Sequence, residues 1–172
     1  MDNFAGVKMH GQMNATAEAH WIVECRDSNG SLKWVEEYDN LVTTEGLNLL
    51  LTRGFKTVPG DVNWYIGLKG TGSPAAGDTM ASHGGWSEIT PYSDSTRPAF
   101  TPGTVASGSV DNSAAKGVFN INATSTVYGA FFSTNSTKSG TSGSLYGVGD
   151  FSSSRAVINT DTISVQITLT LS

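Results

Sequence analysis

The sequence predicts an all-β protein, and three observations support this prediction. Apolar and polar residues alternate in segments that recur along the chain, as at 17–25 and 162–171, and alternation is typical of strands with one buried face. Gly, Ser, Thr and Asn separate these segments and favour tight turns. A helical pattern is found in a single segment, 44–53. We therefore expect a two-sheet antiparallel sandwich, jelly-roll-like, with one short α-helix near residues 44–53.

The first two predicted strands form a hairpin, in which 32–38 returns beside 17–25. Asn29 and Gly30 lie between them and predict a type I′ turn, which needs positive φ at both central residues. The last predicted strand alternates regularly, so one face is expected to be buried and the other wet. The other predicted strands are 62–69, 86–89, 117–124, 126–133, 143–150 and 162–171.

The predicted helix has recognisable ends. Thr43 or Thr44 can cap its first turn with a hydroxyl, and Gly54 is suited to end it in the left-handed conformation. Gly46 in the first turn weakens the helix by about 1 kcal/mol relative to Ala.

An apolar stripe runs along this helix. Leu47, Leu50 and Leu51 lie at positions i, i+3 and i+4 and therefore on one face. We interpret the helix as a plug over one end of the two sheets, with the leucines packed inward. A helix that binds a partner through the same stripe is the alternative.

The first fifteen residues differ from the rest of the chain because their apolar residues show no regular spacing. They are interpreted either as a frayed terminus or as an arm that lies on a neighbouring subunit, and 16–172 is expected to be a single β-sandwich domain. An arm of this kind would use its apolar residues as anchors. They are Phe4, Val7, Met9 and Met13.

Charge and cysteine content limit the possible partners. The net charge is −5 and the ten basic residues are scattered, whereas nucleic-acid binding depends on clustered Lys and Arg, so no nucleic-acid partner is expected. Cys25 is the only cysteine, which rules out a disulfide within the chain. The absence of a signal-peptide pattern and of a long apolar stretch predicts synthesis in the cytoplasm and no membrane partner.

Candidate metal and phosphate sites are weak. Asp78, His83 and Glu88 are spaced five residues apart, but no spacing rule brings them together, so a hydrogen-bonded loop is the favoured interpretation. The glycine-rich segment 67–72 lacks the terminal Lys-Ser/Thr and the helix of a phosphate-binding loop, and it is interpreted as the exit of a strand. No metal and no cofactor are expected.

Candidate catalytic residues are equally weak. Glu36 and Glu37 are neighbours on a strand and point to opposite faces, so they cannot act together as a glycosidase pair. His20 and Glu24 share a face that is expected to be in solvent. Cys25 closes a buried alternating face and behaves as a small apolar residue. The sequence therefore predicts a protein that acts through its surface rather than as an enzyme.

One region combines the residue types that dominate protein interfaces. Trp86 and Arg97 flank a segment rich in Tyr, Ser and Pro, and Trp, Tyr and Arg are enriched among interface hot spots. They are also common at the rim of a core. Partner contacts are expected from the arm residues named above and from the 70–98 region, in particular from Met80, His83, Trp86 and Arg97.

Ten short segments, in this order, resemble a family of small virion proteins of tailed bacteriophages. The segments are WVEE (34–37), NLVT (40–43), EGLN (45–48), WYIGL (64–68), AGDTMASH (76–83), WSE (86–88), YS (92–93), RPA (97–99), SVDNSA (109–114) and INAT (121–124). The resemblance covers the chain from about residue 17 to its C-terminus. The segments are structural and carry no catalytic motif.

The resemblance implies a capsid cement, or decoration, protein with a jelly-roll-like fold. Such a protein binds the outside of the shell at joints between major capsid protein subunits and stabilises it. It would be made in the cytoplasm of the bacterial host, reside on the capsid surface of the virion, and form a homodimer or homotrimer matching a symmetry axis of the shell.

A binding module is the rival interpretation, in which a tail-fibre or head-fibre component recognises a host receptor. Polar loops at 107–114 and 134–144, with Tyr128 and Tyr146 nearby, resemble the adaptable binding surfaces of antibodies. Copy number in the virion separates the two interpretations.

Overall fold

A computed structural model describes residues 16–56 and 62–172. It confirms an all-β sandwich of two antiparallel sheets with a single α-helix. The predicted arm, with Phe4, Val7, Met9 and Met13, lies outside the described residues. The elements are β1 (Ala17–Arg26), β2 (Leu32–Asp39), β3 (Leu41–Val42), α1 (Thr44–Phe55), β4 (Tyr65–Gly72), β5 (Trp86–Ile89), β6 (Ser109–Asp111), a 3₁₀ turn (Ser113–Ala115), β7 (Gly117–Asn120), β8 (Ser125–Ser133), β9 (Leu145–Val157) and β10 (Thr162–Leu171).

The first sheet has the order β2–β1–β10, and both β6 and β7 pair with the other edge of β10. The long strands β1 and β10 pair along their whole length, from Ala17 opposite Leu171 to Arg26 opposite Thr162. The second sheet has the order β3–β9–β8–β4–β5. Early strands therefore pair with late ones in a nested, jelly-roll-like order.

The two sheets share one core. Alternate residues of β1 and β10, such as Trp21 and Val165, are fully buried against residues of the second sheet such as Phe132. Trp21 and Phe132 meet edge to face with ring centroids 6.4 Å apart. The predicted alternation of the first and last strands is confirmed by this burial pattern.

The β1–β2 turn differs from the prediction. Gly30 has φ of +80°, but Asn29 does not have a positive φ, so the turn is not type I′. The side-chain Oδ1 of Asp27 instead accepts hydrogen bonds from the backbone N–H groups of Asn29 and Ser31, both at 2.9 Å. The Asp27 carboxylate thereby stabilises the five-residue loop 27–31, in which Gly30 supplies the positive φ.

The helix is longer than predicted. Thr43 is its N-cap, and its side chain accepts a hydrogen bond from Gly46 N at 3.0 Å. Gly54 does not end α1, because it lacks a positive φ, and the helix continues through Phe55 to a C-cap at Lys56. The prediction of a glycine stop was therefore wrong.

Glycine at position 46 is unfavourable for helix formation but is required for packing. It is the one residue of α1 that is buried, and a Cβ at this position would lie 2.3 Å from the carbonyl oxygen of Tyr146 in β9. The absence of a side chain lets the helix approach the second sheet closely.

Other boundaries shift by a few residues. The segment predicted at 62–69 forms a strand from Tyr65 to Gly72, and the one predicted at 143–150 runs from Leu145 to Val157. The strand predicted at 117–124 ends at Asn120. The two- and three-residue strands β3 and β6 were not predicted, since so short a segment carries no period. No helix among the described residues is long and apolar enough to cross a membrane.

Candidate interaction surfaces

The outer face of the second sheet is covered by the loop between β4 and β5. Five buried residues form a separate outer cluster on this face, away from the main core. They are Met80, Trp86, Phe131, Leu145 and Val148. Phe131 lies across Gly67, where a Cβ would be only 2.1 Å from the ring. The loop is thus held on the sheet by its own small apolar core.

Two carboxylates fix this loop in place. Asp78 Oδ2 accepts hydrogen bonds from Ala75 N and from the indole Nε1 of Trp86, both at 2.9 Å. Glu45 Oε2, from the first turn of α1, accepts from Met80 N at 3.2 Å and from Leu145 N at 2.7 Å. Glu45 therefore joins the helix, the loop and β9.

The loop between β4 and β5, together with the face of the second sheet that it covers, is called the layer. A buried ion pair lies at the other side of this layer. Arg97 meets Glu88 through two parallel contacts, Nε to Oε1 at 2.9 Å and Nη2 to Oε2 at 2.8 Å. The guanidinium also donates to the carbonyl oxygens of Asn135 and Gly140 and lies 4.9 Å from the centroid of the Phe131 ring. This bidentate geometry with further hydrogen bonds is what a buried pair requires to offset its desolvation.

The predicted contact residues of this region occupy the layer in different ways. Met80, Trp86 and Arg97 are buried, at 1%, 6% and 2% exposure, and pack within the chain. His83 is half-buried, contacts the Thr79 carbonyl oxygen through Nδ1 and lies against Trp86 with ring centroids 4.3 Å apart. The surface presented to solvent is formed mainly by loop residues between them, such as Ala81 and Ser82.

The three candidate metal ligands, Asp78, His83 and Glu88, each have a different hydrogen-bond partner. Asp78 bonds to Trp86, His83 to a backbone carbonyl, and Glu88 to Arg97. Among residues 16–56 and 62–172, no group of three or more His, Cys, Asp or Glu side chains is placed to hold a metal ion. The region is a hydrogen-bonded loop, as the sequence favoured.

The glycine-rich segment 67–72 belongs to β4 rather than to a ligand-binding loop. Lys69 in this segment is fully buried, and its Nζ lies 2.5 Å from Asp150 Oδ1 and donates to the carbonyl oxygens of Gly70 and Gly72. Its charge is therefore used within the fold.

Glu36 and Cys25, considered above as catalytic candidates, are buried structural groups. Desolvation favours the neutral form of Glu36, but hydrogen bonds from Ser152 and the ion pair with Arg155 outweigh it and lower the pKa of the carboxyl. Glu37 faces away, as predicted, and is exposed. Burial raises the pKa of the Cys25 thiol to about 11, so it stays protonated at neutral pH.

The outer face of the first sheet has no covering loop among the described residues, and most of its side chains are polar. His20 lies here, with Nδ1 2.9 Å from Asp39 Oδ1 and Nε2 3.1 Å from Glu37 Oε1. The hydrogen bond to Asp39 is the main cause that raises the pKa of His20. Half-exposed Ser, Thr and Gln side chains of β10 lie on the same face. Three apolar residues also share it, of which Val35 and Val118 are exposed and Ile22 is half-buried.

The loops of the rival binding surface differ from the expectation. Tyr146 is 2% exposed and belongs to the main core, whereas Tyr128 is 36% exposed. The loop 134–144 is tied to the body, since Ser139 N donates to Glu88 Oε2 at 2.6 Å and Lys138 Nζ donates to the carbonyl oxygen of Tyr92 at 2.6 Å. These two hydrogen bonds hold the loop against the segment from Glu88 to Tyr92.

The α1 surface is apolar and exposed, which overturns the interpretation that its leucine stripe is packed inward. Leu47 is 42% exposed, Leu51 58% and Phe55 86%, and these three residues at i, i+4 and i+8 form what we call the α1 stripe. Leu50 alone of the predicted stripe packs against the core. The sequence already places Phe55 four residues after Leu51, on the same helix face. Because the helix was expected to end at Gly54, Phe55 was not included in the predicted stripe.

Several open grooves border α1. One, of about 500 Å³, has both apolar and polar lining residues. The apolar ones include Leu41, Val42 and Leu47, and the polar ones are Thr16, Asn40 and the exposed carboxylates Glu18 and Asp39. Another, of about 600 Å³, is lined mostly by apolar side chains between the helix and the loop before β6. A third groove, between α1 and the loop that covers the second sheet, contains a single carboxylate, Glu45, which is already hydrogen-bonded to backbone amides.

Comparison with models of known protein families and with curated protein sequences finds no match for this chain.

Proposed function

We propose that this protein is a non-enzymatic structural component of a tailed-phage virion, a cement protein that binds the outer face of the major capsid protein shell. The observation that carries the proposal is the covered outer face of the second sheet. There a long loop is fixed by its own apolar cluster and by the carboxylates of Asp78 and Glu45. The segment resemblance supports the same conclusion, since several of its segments form this layer.

A rigid loop surface suits a protein that binds many identical sites. Because the loop is fixed before contact, binding costs less conformational entropy than ordering a mobile loop would. A protein that binds only the assembled shell stabilises it by mass action, by about 4 kcal/mol per site at a thousandfold excess over Kd. No chemical step is needed for this activity.

Within the layer, the contact is assigned to the exposed part of the loop around Ala81, Ser82 and His83. Met80, Trp86 and Arg97 act beneath it and hold it in position. The predicted contact by the N-terminal residues remains part of the proposal, since it falls outside the described structure.

The first experiment measures the ratio of this chain to the major capsid protein in purified virions. A ratio near one, or a simple fraction of it, is expected for a cement protein. A few copies per particle would contradict the proposal and favour a fibre component that recognises a host receptor.

A second experiment tests the surface. Ala81→Asp is compared with Thr168→Asp, on the outer face of the first sheet, in co-sedimentation with capsids assembled without this chain. We expect Ala81→Asp to weaken binding at least about tenfold, by placing an unpaired charge in the contact, and Thr168→Asp to leave binding unchanged. The reverse pattern would assign the contact to the first sheet.

A further inference from the structure

We propose that α1 is a dimerisation helix, which packs antiparallel against α1 of a second copy of this chain about a two-fold axis at Leu51. The α1 stripe is the starting point. Three large apolar side chains, Leu47, Leu51 and Phe55, follow one another along the helix and are 42%, 58% and 86% exposed. Side chains spaced by four residues form a ridge that packs into the groove beside the corresponding ridge of another helix.

The stripe is self-complementary. Its centre is Leu51, and Leu47 and Phe55 lie four residues to either side. A two-fold axis at the centre brings Leu51 against Leu51 of the second copy and each Phe55 against the other copy's Leu47. Such a contact is isologous, because one patch serves both partners and the assembly closes at two copies.

The groove beside Leu47 offers a place for the aromatic ring. It measures about 500 Å³ and is lined by Leu41 and Val42 as well as Leu47, and Leu41 is itself 38% exposed. In the antiparallel arrangement the second copy's Phe55 lies at the mouth of this groove. A large aromatic side chain packed against apolar residues of a partner is a common form of interface hot spot.

Charge favours the antiparallel orientation over the parallel one. The last turn of α1 and its C-cap are basic, with Arg53 and Lys56, whereas Glu18 and Asp39 lie on the rim of the groove near the other end of the helix. Antiparallel packing brings the basic end of each helix to the acidic rim of the other copy. It also places the two helix dipoles in opposite directions, which is the favourable arrangement.

Glutamate substitutions test the surface in the full-length chain. The mass in solution is measured by light scattering and sedimentation for the wild type, Leu51→Glu and Ile158→Glu. Ile158 is a matched control, because it is 52% exposed and follows β9 at the opposite end of the sandwich. We expect a dimer for the wild type and Ile158→Glu, and a dimer at least about thirtyfold weaker for Leu51→Glu, which places two carboxylates at the axis.

Disulfide cross-linking between introduced cysteines is an independent test of the dimer, because it does not require the fold to tolerate a new charge. Leu51→Cys is oxidised with copper phenanthroline and compared with Ile158→Cys. Cys25 is buried and protonated at neutral pH, so it does not interfere. We expect a disulfide-linked dimer for Leu51→Cys only, since the two-fold axis brings the new thiol of one chain next to the same thiol of the second chain.

Several results would overturn the dimer. They are a wild-type mass of one or three chains, equal weakening by both glutamate substitutions, and cross-linking of both cysteine variants. A monomer whose Leu51→Cys thiol resists maleimide would show that the α1 stripe is covered by the chain's own residues 1–15. Capsid binding is assigned to a different surface, so a wild-type chain that is monomeric but still binds capsids would refute the dimer and leave the proposed function standing.

Discussion

The outer faces of the two sheets contrast sharply although both sheets belong to one sandwich. The outer face of the second sheet carries Phe131, Val148 and the Arg97–Glu88 pair beneath a loop, and all of these side chains are buried. The outer face of the first sheet carries half-exposed polar side chains and the exposed ion pairs of His20. The comparison shows that this fold has two different kinds of surface. One sheet face is covered by a hydrogen-bonded loop, and the other is exposed to solvent.

The sequence contains the basis of this contrast. In β8, residues 129–133 are buried in an unbroken run, whereas β10 buries every second residue over its first six. A strand covered on both faces loses the alternation that a half-exposed strand keeps.

The largest effect is expected from removing the buried cation of the layer. Arg97→Met leaves Glu88 buried without its partner, and this should lower the free energy of unfolding by about 3–5 kcal/mol. Arg26→Met is the control, because Arg26 pairs with Glu24 at 3.4 Å on the first sheet and is 46% exposed. It should change the free energy of unfolding by less than about 1 kcal/mol. Urea denaturation measures both, and equal losses would remove the distinction between the two surfaces.

The next effect concerns the approach of α1 to the second sheet. Gly46→Ala places a Cβ against the Tyr146 carbonyl and should lower the free energy of unfolding by about 1–3 kcal/mol, although Ala is the better helix former. Gly54→Ala is the matched control, since no atom lies within 4 Å of its Cβ position and its φ is not positive. It should raise the free energy of unfolding by up to about 1 kcal/mol. Stabilisation by both substitutions in thermal denaturation would contradict the close packing.

A smaller effect is expected at the anchor of the loop. Asp78→Ala leaves the indole N–H of Trp86 and the amide of Ala75 without their acceptor, at a cost of about 1–3 kcal/mol. The loop should then exchange its amide hydrogens faster, while β1 and β10 remain protected. Hydrogen exchange read by mass spectrometry checks this. A uniform acceleration over the whole chain would show that the layer does not open separately from the sandwich.

The smallest effect is expected on the exposed face, and it depends on pH. The hydrogen bond with Asp39 raises the pKa of His20, so its contribution to stability is fully present below the ordinary histidine pKa of about 6.5 and is lost as the pH rises through the raised value. NMR titration of the imidazole measures this pKa directly. Asp39→Asn should bring it back toward the ordinary value, and an unchanged pKa in that variant would exclude Asp39 as the cause.

Local patterns alone determined much of this protein. Alternation placed β1, β2 and β10 within one residue of their observed ends, and the Thr43 cap placed the start of the helix, because these features depend on residues that are close in sequence.

Only the tertiary structure decided how those elements are used. Whether the leucines of α1 face the core or solvent depends on how the helix lies against β9, and this in turn depends on Gly46 meeting the backbone of Tyr146, one hundred residues away in sequence. Burial of Trp86 and Arg97 likewise depends on Phe131 and on loop 134–144 closing over them. The sequence alone shows which side chains are apolar or charged and how they are spaced. Contacts between residues distant in sequence determine which of those side chains remain at the surface.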